Sequence, residues 1–384
     1  MSADQFMRLA LRLARRGYGA TSPNPLVGAA LVKGGKIIGR GWHRRAGQPH
    51  AEIEALRDAQ NHGCSPCGTT LYVTLEPCCT HGRTPPCTDA IIAAGIQHVV
   101  IGATDPNPKH AGTGFKILRR AGIKVIPGIL ADECTKLNET FNHWIVRRTP
   151  FVTVKAAMTL DGKIATAGGE SKWITGEKAR AHGMKLRQGS DAILVGVNTI
   201  LADDPSLTAR SQKSEVGSQN KNLRLRRIVL DSGARTPLTA KVVSDELAAL
   251  TTIVVGKNAP KNRVAALQKR VNVLVAPTTK AGRATKRAPY QQINLRWLIK
   301  KLGAENVTSL LVEGGGEVNA SFLLGGFAQH VVFFYAPKIL GGRDARKAVA
   351  GNGAKSLAAV IPLREVEWRK LGEDLLLTAK VVPR

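Results

Sequence analysis

Along residues 1–148, short apolar runs alternate with stretches of helical period. The runs "LVGAALV", "KIIGRGWH", "TTLYVTL", "HVVIGA" and "IKVIPG" read as strands: each is short and bounded by turn residues. Between and after them, apolar positions recurring about every 3.6 residues predict helices from Ala51, Thr88 and Thr113 and one near 131–145. A first helix comes before the strands, with Phe6, Leu9, Ala10 and Leu13 on one face and Arg8, Arg12 and Arg15 opposite. Two early strands meet at the turn Lys33–Lys36 and βα units follow, which predicts a mixed sheet with helices on its faces. At "RRTPFVTVKAAMTLDGKIA" the pattern restarts behind a proline. This places a boundary at 147–150 and two domains, 1–148 and 149–384. The second domain alternates again through "DAILVG", "RRIVLDS", "LTTIVVG", "VNVLVAP", "SLLVEGGG", "HVVFFYAPKIL" and "DLLLTAKVV". The overall class is α/β, without an internal repeat.

Composition changes the picture in two ways. Apolar residues make up 43% of the chain, and no run approaches the roughly 18 residues of a membrane span. The opening "MSADQFMRLALRLARRGYG" has no continuous apolar core. An ordinary helix is therefore expected rather than a secretory signal, and with it a cytoplasmic chain. Lys and Arg number 56 against 28 Asp and Glu, a net charge of +28 that invites a nucleic-acid partner. Part of the excess lies in segments 211–228 and 278–289, which read as loops and carry no aromatic residue for base stacking. Attraction for anionic small substrates is the plainer reading, so neither a specific nucleic-acid site nor a membrane contact is expected.

All six cysteines, at 64, 67, 78, 79, 87 and 134, precede the boundary, and without an export signal metal binding or catalysis outranks disulfides. In "PHAEIEALRDA", His50 stands before a helix and Glu52 in its first turn, which alone is also how many helices begin. In "TLEPCCTHGRTPPCTDAII", Cys78 follows a strand and Cys87 precedes a helix, each directly after a proline. His50, Cys78 and Cys87 make an N/S/S set that leaves zinc a position for water, the catalytic pattern. Glu52 could then move that water's proton without ligating the metal, the arrangement of zinc nucleobase deaminases. Only one of the adjacent Cys78 and Cys79 can face His50. His43 and His81 are further candidate ligands. Cys64 and Cys67 lack a second pair at zinc-finger spacing and read as a loop turn, with a redox pair left open.

Taken together, "TSPNPLVGA", "GWHRRAGQPHAEIEAL", "TLEPCCTHGRTPPC" and "DPNP" resemble the deaminase domain of a bifunctional riboflavin-biosynthesis family. Its members are diaminohydroxyphosphoribosylaminopyrimidine deaminase / 5-amino-6-(5-phosphoribosylamino)uracil reductases. "KAAMTLDGKIA", "GESKWITG", "DAILVGVNTILADDPSLTAR", "LVEGGG" and "YAPKILGG" resemble the reductase domain, so the likeness spans nearly the whole chain in order. It implies a cytidine-deaminase-like three-layer α/β/α domain, a dihydrofolate-reductase-like α/β domain, and a homo-oligomer, dimer or tetramer. It implies one zinc at His50, Cys78 and Cys87, with Glu52 catalytic. Phosphoribosyl-pyrimidine contacts are implied at Asn24, His43, Arg83, Asp105 and Asn107, and in the second domain at Lys155, Ser171, Arg187, Leu207, Arg210 and Glu313. NADPH contacts are implied at Ala157, Trp173, Thr199, Asp203, Gly315, Gly316, Glu317, Val318, Asn319, Ala320 and Ser321.

The residues themselves agree in part. "SLLVEGGGEVNASFLL" is a strand running through glycines into a helix, whose exposed N–H groups suit a dinucleotide phosphate. It is not the Rossmann fingerprint, because Asn319 stands at the third glycine position. Arg187 and Arg210 offer charge to a substrate phosphate, and Trp173, away from its motif, reads as core. Cys79, the Cys64/Cys67 pair and the two basic segments depart from the family pattern. The expectation is two successive reactions on one scaffold: hydrolytic deamination of the pyrimidine, then NADPH reduction of the ribosyl group. The rivals are a nucleic-acid deaminase and a chain with one domain inactive.

Overall fold

Gly34 and Gly35 both take left-handed φ, +54° and +75°, the geometry of a tight hairpin turn. They join β1 (Gly28–Lys33) to β2 (Lys36–Trp42). The computed structural model describes residues 2–81, 85–108, 110–209, 225–279 and 292–382. The chain divides into two units, Met1–Arg148 and Thr149–Arg384. In the first unit, α1 (Ala3–Ala14) starts with a Ser2/Gln5 capping box and buries Phe6, Met7, Ala10, Leu11 and Leu13. The remaining elements are α2 (Ala51–Asn61), β3 (Thr70–Leu75), α3 (Cys87–Ala93), β4 (His98–Ala103), α4 (Thr113–Arg120), β5 (Lys124–Pro127), α5 (Ala131–Leu137) and α6 (Glu139–Arg147). The five-stranded sheet runs β2-β1-β3-β4-β5. β1 is antiparallel to both neighbours, while β3, β4 and β5 are parallel.

Two close approaches hold the layers together. A Cβ on Gly28 would collide with the Ala10 carbonyl of α1, and one on Gly41 with the Ala51 carbonyl of α2. Bare backbone on the strands lets the helices seat directly on the sheet. Leu31, Leu71, Val73, Val99, Ile101 and Leu118 fill the space between and are fully buried. The single helix expected near 131–145 is two, broken at Asn138. That side chain accepts from Leu26 N–H at 2.7 Å and donates to Leu26 C=O at 2.9 Å. A bond to a residue 112 positions away overrides helical continuity.

The second unit is built on a nine-stranded sheet. In chain order its strands and two short ribbons are β6 (Phe151–Thr159), β7 (Lys163–Ala165), β8 (Ala192–Gly196), β9 (Arg226–Leu230), β10 (Thr251–Gly256), β11 (Asn272–Ala276), β12 (Thr278–Thr279), β13 (Gln292–Ile293), β14 (Ser309–Val312), β15 (His330–Ala336), β16 (Arg346–Lys347), β17 (Leu363–Leu371) and β18 (Asp374–Val381). The main sheet runs β11-β10-β9-β8-β14-β6-β15-β18-β17, parallel through β15 and antiparallel at β18 and β17. Its helices are α7 (Glu177–Gln188), α8 (Val197–Asp203), α9 (Lys241–Ser244), α10 (Lys261–Gln268), α11 (Leu295–Ala304) and α12 (Gly316–Leu324).

Two readings of the sequence overlap at the end of the basic segment 211–228, and the apolar run "RRIVLDS" prevails over the loop: Arg226 begins β9, and Arg227 is 1% exposed. The Arg227 guanidinium donates to both Asp245 oxygens, at 2.6 and 2.7 Å, and to Thr251 Oγ1, so this charge is part of the framework. One expectation is corrected outright. Trp173 is not core; it is 68% exposed, with the Arg180 guanidinium over its ring. Residues 210–224 and 280–291 lie outside the described residues. Among those described, no helix is long and apolar enough to cross a membrane.

Candidate active sites

His50 is the extended N-cap of α2, so its ring leaves the helix and meets the loop after β3. Its Nδ1 lies 3.5 Å from Cys78 Sγ and 3.3 Å from Cys87 Sγ. The three donor atoms lie within 4.8 Å of one another. With Zn–S about 2.3 Å and Zn–N about 2.0 Å, a tetrahedral ion holds N and S about 3.5 Å apart, so the trio fits zinc as it stands. Cys87 opens α3, and its N–H donates to Cys78 Sγ at 3.3 Å. Cys79 faces away from this group, its Sγ 3.4 Å from His110 Nδ1. A hydrogen bond from Cys87, with His50 beside it, lowers the Cys78 thiol to about 4, against its burial. Glu52, in the first turn of α2, is 3% exposed. Its Oε2 has no partner among the described residues, and burial raises its carboxyl to about 7. A buried carboxylate oxygen without a donor among the described residues, beside a zinc-shaped N/S/S trio, can in chemical terms take and return a water's proton.

Around this group the chain is tied tightly. His43 is 2% exposed, and its Nδ1 lies 3.1 Å from Pro49 O, which can only accept. Nδ1 therefore carries the proton, and Nε2 accepts from the Asn24 amide at 3.1 Å. Both ring nitrogens are engaged, so His43 orients Asn24 and the approach to His50. Asp105 and Asn107 follow β4. The Asp105 carboxyl accepts from Asn107 N–H at 2.8 Å, and burial raises its pKa. Sequence reasoning passed over Glu76, a buried carboxylate two residues before Cys78. Its only signal was a charge closing the apolar run "TLYVTL". Arg83 and Arg210 lie outside the described residues.

In the second unit, the middle of β6, the end of β14 and one face of α7 bring together three charges. Arg187 holds Glu313 bidentately at 2.9 and 2.8 Å, and Lys155 Nζ lies 3.6 Å from the same carboxylate. Burial alone would raise the Glu313 pKa, but Lys155 and Arg187 outweigh it and hold the group at about 2. Arg187 also donates to Thr208 O. This ties down the chain beside Leu207, a buried residue held at φ +51°, an outlying conformation for so bulky a side chain. Ser171 donates to Asp203 at the end of α8, the helix that also carries Thr199. Ala157 shares a strand face with Lys155. Gly315 caps α12 with open space where a Cβ would stand, so a phosphate can approach the helix N-terminus there. Glu317 is acidic in that first turn, but its carboxylate accepts from Gly351 N–H. Asn319 and Ala320 face inward, Asn319 donating to Ala348 O at 2.8 Å; Ser321 is exposed and donates to Glu317 O.

Comparison with known proteins matches both halves. Residues 1–103 match the cytidine and deoxycytidylate deaminase zinc-binding region, and residues 150–377 match the RibD C-terminal domain. The riboflavin biosynthesis protein RibD of Aquifex aeolicus is 43% identical over 375 residues, covering 98% of this chain and 97% of that protein. The chain belongs to the RibD family. Among solved structures, Acinetobacter baumannii RibD superposes with a TM-score of 0.84 at 34% identity, covering 99% of both chains. The diaminohydroxyphosphoribosylaminopyrimidine deaminase/5-amino-6-(5-phosphoribosylamino)uracil reductase of Thermotoga maritima superposes with a TM-score of 0.80, also at 34% identity and 99% coverage of both. RibD is a bifunctional enzyme of riboflavin biosynthesis, a zinc deaminase and a reductase using NADPH, and both of its domains are present here.

Proposed function

We propose that residues 1–148 hydrolyse the 2-amino group of 2,5-diamino-6-(5-phosphoribosylamino)pyrimidin-4-one and that residues 149–384 reduce the product to 5-amino-6-(5-phosphoribitylamino)uracil. The observation that carries this is the His50–Cys78–Cys87 trio with the orphaned Glu52 oxygen beside it. Zinc held there supplies Lewis acidity that lowers the pKa of a coordinated water to about 7. Glu52 takes a proton from the attacking water and passes it to the departing amine, so water and the amidine become carbonyl and ammonia. Asn24, oriented by His43, and Asp105 with Asn107 hold the ring. In the second unit the nicotinamide supplies the hydride. Glu313 stays ionised against the substrate because Arg187 and Lys155 neutralise it. The other proposed contacts are Arg83, Ser171, Leu207 and Arg210 for substrate, and Ala157, Trp173, Thr199, Asp203 and the start of α12 for NADPH. A cytoplasmic homo-oligomer completes the proposal, its association to be read by sedimentation.

The test is to incubate purified, metal-analysed protein with the diaminopyrimidine and to follow ammonia release and NADPH oxidation separately. Both are expected. Glu52→Gln should lose ammonia release at least a hundredfold while keeping zinc and the oxidation of NADPH by pre-deaminated substrate. Retained deamination in that variant would sink the assignment.

A further inference from the structure

β3 and β4 are parallel neighbours, and both feed the site from their C-terminal ends: β3 leads into Pro77–Cys78, β4 into Asp105 and Asn107. Glu76 stands at the point where these two paths separate. Its N–H donates to Ala103 O at 2.9 Å, extending the pairing of the two strands by one rung. Its side chain is 3% exposed and accepts three backbone N–H groups from the second path: Asp105 at 3.2 Å and Gly112 at 3.0 Å on Oε2, and Gly114 at 3.0 Å on Oε1. Gly112 and Gly114 flank the start of α4, so one carboxylate ties Asp105, just after β4, to the start of α4. The fit is tight. A Cβ on Gly114 would stand 2.6 Å from Pro77 O and 3.1 Å from Glu76 Oε1.

We propose that Glu76 is a positioning residue for deamination, fixing the Asp105–Asn107 contacts against the metal-ligand loop at Cys78. The inference rests on Asp105 and Asn107 as substrate contacts; Glu76 touches neither substrate nor metal. An anion is needed because all three partners are donors. A glutamine offers one oxygen and one NH₂, and the NH₂ must then face at least one N–H. The loop would loosen while His50, Cys78 and Cys87 keep their places.

The experiment uses the full chain. Glu76→Gln should keep one zinc per chain and unaltered NADPH oxidation with pre-deaminated substrate, while the deaminase KM rises about tenfold and kcat stays within threefold. Amide exchange should quicken over residues 105–114 and not over 50–61. Gly114→Ala, which displaces α4 from the other side, should reproduce the KM effect if Glu76→Gln folds poorly. Loss of zinc in Glu76→Gln, a fall in kcat at constant KM, or unchanged exchange over 105–114 would each overturn the proposal. If the wild-type chain does not release ammonia at all, the proposed substrate is at fault. The exchange measurement still decides what Glu76 holds.

Discussion

Cys78 and Cys79 are neighbours in sequence with opposite surroundings, one against His50 and the other against His110. Cys78→Ser should therefore lose zinc and ammonia release together, whereas Cys79→Ser should keep both within twofold, as metal analysis and turnover would show. Glu313 gives a pH test. Its folded pKa of about 2 lies below the ordinary carboxylate value, so its stabilising contribution is complete above about pH 4.5 and is lost as pH falls through about 2. Acid unfolding followed by amide exchange on β14 should weaken within that window. Glu313→Gln should flatten it and cost about 3–5 kcal/mol at neutral pH, by leaving Arg187 buried without its carboxylate. The grouping of His50, Cys78 and Cys87 was legible because metal chemistry restricts residue type and spacing. Glu76 was not, because the N–H groups that make its burial tolerable lie 29 to 38 positions away.

At the scale of elements, the position of α2 decides the metal site, since His50 caps it and Glu52 lies in its first turn. Gly41→Ala would push α2 off β2. It should cost about 1–3 kcal/mol by overpacking and lower zinc occupancy, as a thermal melt paired with metal analysis would show. Gly34→Ala strains the hairpin turn at φ +54° by about 1–2 kcal/mol and should leave zinc binding unchanged. The strand and helix alternation could be read from the chain because most of these strands are short apolar runs. Two features illustrate what could not. The break at Asn138 is set by a distant partner, and β17, "LREVEWRKL", is exposed almost along its length, so its short alternation at Val366 and Trp368 marks no buried face.

For the whole molecule, the zinc trio lies in the first unit, and the Arg187–Glu313–Lys155 group and the start of α12 lie in the second. Chelation should stop ammonia release completely and leave NADPH oxidation with pre-deaminated substrate within twofold. Of the basic residues counted in the charge of +28, Arg227 and Arg187 are paired inside the fold with Asp245 and Glu313. The units are contiguous, so the chain passes between them once, at Arg148–Thr149. In genetic terms that peptide bond is a place where one reading frame can become two. Separate genes for 1–148 and 149–384, placed together in a riboflavin auxotroph, should restore growth where either alone does not.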